Sequence, residues 1–129
     1  MHNMNNLKIS VITLFLSSLL LYLHIRGMIG HLYLNYWFYD LIQHFLGGAC
    51  IALATACTAE VFNIKIIKEN LKSIIILTFI GGFAWEVFEL MYDIAGHDFG
   101  TREYNIDTIK DLIMDTLGGV LVYFSIKKR

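Results

Sequence analysis

SIIILTFIGGFAWEVFELMYDI, residues 73–94, runs thirteen residues without a charge and then places Glu86, Glu89 and Asp93 in its last nine. As an α-helix these 22 residues rise about 33 Å, enough to cross a hydrocarbon core of about 30 Å. A helix that is apolar all round has no face to show water. The stretch is therefore expected to lie in a bilayer, with its acids near one end.

Working outward, three more stretches have similar length and character: about 9–25, 37–62 and 109–126. The first follows Lys8 and so resembles an uncleaved signal sequence. It lacks the small-residue cleavage pattern, however, and ends in His24, Ile25 and Arg26, so it too is expected to span. The expected fold is all-α: one membrane domain, residues 1–129, built as a bundle of four transmembrane helices. Composition agrees, since 57% of the 129 residues are hydrophobic and 16% charged, against roughly half and a quarter in soluble domains. That balance excludes a disordered tail and a basic nucleic-acid binder. The two cysteines, Cys50 and Cys57, imply no disulfide scaffold; seven residues apart on one helix they are too far to bridge.

Lys and Arg set the direction of the spans. Lys8, Lys65, Lys68, Lys72, Lys127, Lys128 and Arg129 fall on one side, and Arg26, Arg102 and Lys110 on the other. The bias predicts both termini in the cytoplasm of a multi-pass cell-membrane protein. Tyr33, Tyr36, Trp37 and Tyr39 before the second span form an interfacial belt.

With that topology the acids converge at one depth. Asp40 and His44 open the second span, Glu86, Glu89 and Asp93 close the third, and Asp111 and Asp115 open the fourth. Spacings of three, four and seven keep each set on one helical face. Each stripe continues into a glycine pair: Gly47-Gly48, Gly81-Gly82 and Gly118-Gly119. Small residues let helices approach closely in lipid, so spans two to four are expected to touch at their glycines, below a cavity lined by carboxylates. Span one, lacking both features, is expected to be peripheral.

From Glu86 to Asp115 eight acids stand against only Arg102 and Lys110. Carboxylates facing one another in a low-dielectric site cannot all remain ionised without a partner. Either some are protonated, or Arg102 and His44 pair with them, or a cation sits among them. Oxygen-rich sites suit Mg, Ca or Mn, and one imidazole with several carboxylates also admits Zn or Fe. His44, Glu86, Glu89, Asp111 and Asp115 are thus candidate ligands of a divalent metal ion. Arg102, Asp40 and Asp93 are candidate substrate contacts. Asp40 also reads as a helix cap, and Asp107 more so because it starts a helix; Asp93, Asp98 and Glu103 also read as solvated charges. His97 could join the cluster, whereas His2, His24 and His31 read as incidental and Trp85 as a packing residue.

The ordered set Asp40-x3-His44-Phe45, Trp85-Glu86-x2-Glu89, Arg102 and Asp111-x3-Asp115-x2-Gly118 resembles that of the VanZ-like and YjdF-like families of small polytopic membrane proteins, over about residues 39–120. Glu89 and Asp115 depart from the VanZ-like pattern, which usually has Gln and Asn there, and make this site more acidic. The resemblance implies a compact helical membrane protein with a polar intramembrane site.

Three functions compete. In the first, a metal-dependent enzyme acts on a lipid-linked or headgroup substrate at the outer leaflet, the ion clamping a phosphate or activating water, with Arg102 on the substrate anion. No Ser, Cys or second His completes a nucleophilic constellation, and no Gly-rich phosphate loop is present. In the second, the acids bind protons or a cation for transport; four spans are too few for a full transporter, so a homo-oligomer is required. In the third, the acids, Arg102 and Lys110 form the internal network of a structural or accessory protein.

Overall fold

The computed structural model describes residues 2–64, 70–94 and 98–127, with side chains from residue 7 onward. His2 has no described side chain, and Lys65, Lys68, His97, Lys128 and Arg129 lie outside the described residues. The described chain is all-helical, without strands: α1 (His2–Ile29), α2 (Leu32–Asn35), α3 (Trp37–Val61), α4 (Leu71–Tyr92) and α5 (Arg102–Lys127).

Local chemistry sets the boundaries. Asn70 starts α4, its side chain accepting from the Lys72 N–H at 3.0 Å, and Thr101 starts α5, its Oγ1 accepting from the Tyr104 N–H at 3.2 Å. His31 (φ 51°) separates α1 from α2, and Asp93 (φ 52°) ends α4, both in the left-handed region that breaks a helix. Asp40 does not cap α3: Tyr36 occupies that position, and Asp40 lies in the first turn. Asp107 is no cap either, because α5 begins five residues before it.

Among the described residues, three helices are long and apolar enough to cross a membrane: residues 7–29, 37–61 and 71–92. The fourth expected span, 109–126, is helical within the 26-residue α5. It falls short in apolarity because Lys110, Asp111 and Asp115 share its first two turns.

α3 is the hub, packed against α1, α4 and α5. The closest crossing is between α3 and α5. A methyl group at Gly48 would overlap the Asp115 carbonyl, and one at Gly118 would overlap the Phe45 carbonyl. Both obstacles are backbone, so no side-chain rotation relieves them. On α4, Gly82 lies against the Asp115 carboxylate, Gly119 of α5 lies against Thr78, and Gly81 lies against Ile51. Gly47 has more room, with Asp115 Oδ1 at 3.5 Å from where its Cβ would be. Among the described long helices, the α1 backbone approaches only α3, and a ring contact of His24 with Trp85 extends it to α4. At the end of the bundle where α1 starts and α5 finishes, Ala52, Ile74 and Tyr123 form a small apolar cluster.

Candidate functional site

At the opposite end, where α3 and α5 begin and α4 finishes, the helices turn ionisable side chains inward. The buried stripe of α4 is Ile74, Thr78, Gly82, Glu86 and Glu89, and that of α5 is Asp111, Asp115, Gly118, Gly119 and Tyr123. Steps of three and four keep each stripe on one side of its helix, turned toward α3 and toward the other stripe. His44, Glu86, Glu89, Asp111 and Asp115 are 3%, 5%, 3%, 1% and 3% exposed. Asp40 is half-buried beside them.

His44 is the centre. Its Nδ1 lies 3.1 Å from Asp115 Oδ2, within hydrogen-bond distance. Nε2 lies on the far side of the ring, the position that a metal takes in the carboxylate–histidine–metal arrangement. Around Nε2 stand Asp40 Oδ1 at 3.6 Å, Glu86 Oε1 at 3.6 Å and Glu89 Oε2 at 3.8 Å. All three distances exceed a hydrogen bond, and His44 Nε2, Asp40 Oδ1, Glu86 Oε1 and Asp111 Oδ1 are buried without a hydrogen-bond partner. A tetrahedral shell of ligands about 2.1 Å from a metal has edges of about 3.4 Å, close to these separations. Donor atoms of Asp40, His44 and Glu89 lie within 4.8 Å of one another, as do those of His44, Glu86 and Asp111. Among the described residues, no lysine or arginine pairs with Asp40, Glu86, Glu89, Asp111 or Asp115; Asp40, Glu86, Glu89 and Asp115 instead come within 4 Å of the His44 ring nitrogens.

The sequence-derived candidates therefore separate. Asp40, His44, Glu86, Glu89 and Asp111 converge, while Asp115 stands behind His44 and orients it. Arg102, at the start of α5, and Asp93, at the end of α4, are exposed and outside the cluster.

Other residues surround the site that spacing did not single out. Trp85 Nε1 donates to Glu89 Oε1 at 2.9 Å, which leaves Oε2 for the His44 side. Asp107 shares a donor group with Asp40 and Asp111; its i,i+4 relation to Asp111 was the signal. Gln43, 6% exposed, has neither amide atom hydrogen-bonded, and its signal was a polar residue inside an apolar run.

A cavity of about 220 Å³ opens beside His44 and Asp115, with Leu20 and His24 of α1, Gln43 and Ile51 of α3, and Trp85 of α4 in its wall. Its surface is overwhelmingly apolar. The Tyr33 hydroxyl closes one side through a 2.7 Å hydrogen bond with His24 Nδ1. Burial, and to a lesser degree Asp40 and Glu89, raises the Tyr33 pKa well above the ordinary phenol value, which keeps that hydroxyl neutral.

A family model described as "Predicted membrane protein (DUF2238)" matches residues 1–128. The chain belongs to that family. The match takes in all five helices and every residue of the cluster. It supports a small membrane-protein family and not the VanZ-like pattern specifically. No curated protein and no solved structure matches the chain.

Proposed function

We propose that this chain is a four-span membrane protein whose buried cluster holds a divalent cation and presents it to a lipid-linked or headgroup anion at the outer leaflet. One observation carries the reading: the unpartnered Nε2 of His44 faces three carboxylate oxygens at 3.6–3.8 Å. Three carboxylate oxygens gathered round one ring nitrogen, all beyond hydrogen-bond distance, leave buried negative charge that no contact of bonding length compensates, and a cation among them supplies the compensation. These separations are a little wider than the edge of about 3.4 Å between neighbouring ligands of one tetrahedral metal ion.

The adjoining apolar cavity supports a lipid-linked partner, because it puts space for hydrocarbon next to the most polar point of the molecule. Its volume exceeds the roughly 150 Å³ of an engineered cavity that admits benzene. The fourth span is α5: 26 residues are long enough, and its acids face α3 and α4 instead of lipid. Lys8, Lys72 and Lys127 at one end support cytoplasmic termini, with the cluster at the outer end.

The test is the metal content of the detergent-purified protein beside a Glu86→Gln, Asp111→Asn double variant. Stoichiometric metal in the wild type and none in the variant is the expected result. No metal in either, with divalent ions supplied throughout purification, overturns the proposal and leaves the acids as proton carriers or internal struts.

A further inference from the structure

The cluster is larger than one ion requires. Besides the two groups that contain His44, a third group, Asp40, Asp107 and Asp111, has donor atoms within 4.8 Å of one another. It contains no imidazole, and it shares Asp40 and Asp111 with the His44 groups. A carboxylate has two oxygens and can give one to each of two ions.

We propose that the site holds two divalent cations, one on His44, Glu86 and Glu89 and a second on Asp107, with Asp40 and Asp111 bridging them. This rests on the cation-binding reading above and extends it from one ion to a pair. The independent support is Asp111, 1% exposed, whose Oδ1 is buried with no hydrogen-bond partner although its carboxylate belongs to both nests. An isolated buried carboxylate oxygen is destabilising unless it is compensated, and no described lysine or arginine reaches it within ion-pair distance.

The two positions differ in chemistry and in depth. The inner one offers an imidazole nitrogen with carboxylates, a set that suits Zn, Mn or Fe. The outer one is all oxygen and suits Mg, Ca or Mn. Along α5 the residues Asp107, Asp111 and Asp115 step by four, from a half-buried position to fully buried ones. The outer ion is thus the more accessible, and the inner one lies beside the apolar cavity. An anion bridging such a pair would be held by two charges at once, the arrangement by which paired metals grip a phosphate ester. A phosphate headgroup whose apolar part enters the cavity is the ligand class that fits both halves.

Manganese serves both positions and reports its neighbours by electron paramagnetic resonance. The full-length wild type in detergent, loaded with Mn²⁺ and freed of excess ion, is expected to hold two equivalents with the spectrum of a magnetically coupled pair. Asp107→Asn, which keeps the side chain's size, is expected to hold one equivalent with the six-line spectrum of an isolated ion. One equivalent in the wild type overturns the second position and leaves the single-ion reading standing. Two equivalents retained in folded Asp107→Asn overturn the assignment of Asp107. No bound manganese in the wild type overturns the underlying reading and the pair with it; the wild-type count needs no variant to fold.

Discussion

The two ends of the same helices are built on opposite principles. Where α5 finishes, Ala52, Ile74 and Tyr123 pack as an apolar cluster, with the Lys127 ammonium over the Tyr123 ring at 5.4 Å. Where α5 begins, the same three helices bury four carboxylates, with Asp40 half-buried beside them, around one imidazole, at separations that make no hydrogen bond to Nε2. Replacing buried charges with well-packed apolar residues is often neutral or stabilising, so the polar end is not an economical way to hold a bundle together. One end holds the fold, and the other exploits it.

Substitutions at the crossing that both ends share should have the largest effect. Gly118→Leu would drive a side chain into the Phe45 carbonyl and is expected to destabilise by more than about 4 kcal/mol, seen as loss of a monodisperse species in size-exclusion chromatography. Full recovery of folded protein would show that the ends do not depend on this crossing. Next comes the apolar end alone: Tyr123→Ala should cost about 3 kcal/mol and leave metal content unchanged. A change in metal stoichiometry would mean that the ends are not independent.

At the polar end the sign reverses. Saturating Mn²⁺ at 100 times its Kd should stabilise the wild type by about 2.7 kcal/mol for each ion bound, read as a higher melting temperature than in chelator. The Glu86→Gln, Asp111→Asn variant should show no such shift. In chelator it should melt no lower than the wild type, because facing carboxylates have been neutralised. A variant that is much less stable in chelator would identify the acids as struts. Trp85→Phe removes the donor to Glu89 Oε1 and should weaken manganese binding about tenfold with about 1 kcal/mol lost in stability; unchanged affinity would remove Trp85 from the support of the site. Arg102→Gln, at an exposed position, should change neither melting temperature nor metal content, and a loss of metal would bring Arg102 back into the cluster.

The contrast also explains what the sequence could reveal. The helices corresponding to residues 37–62 and 73–94 are found within two residues of those limits, at 37–61 and 71–92, because long apolar runs leave little room for error. α5 begins seven residues before 109, since Arg102, Glu103 and Asn105 give no apolar signal and the start is set by the Thr101 cap. That hidden turn is why Asp107 reads as a cap when it belongs beside Asp111. The grouping of Asp40, His44, Glu86, Glu89, Asp111 and Asp115 follows from depth and periodicity. The central place of His44, and the position of Asp115 behind it, depend on how each helix is rotated about its axis, which spacing alone does not fix. The part of α1 was hidden for the same reason: an apolar helix carries no mark showing that His24 will reach Trp85.

The charges on α5 have a consequence for how the protein is made. On the scale that governs insertion of a nascent helix, Asp and Lys each cost about 2.5–3.5 kcal/mol at the centre of a span, and α5 carries Lys110, Asp111 and Asp115 within six residues. Released alone, such a helix would favour the aqueous interface. Beside α3 it finds His44 for Asp115 and, at Gly48, a backbone it can lie against. α5 follows the other described helices along the chain, so the helix that needs the others is made after them, and the order of residues doubles as an assembly schedule.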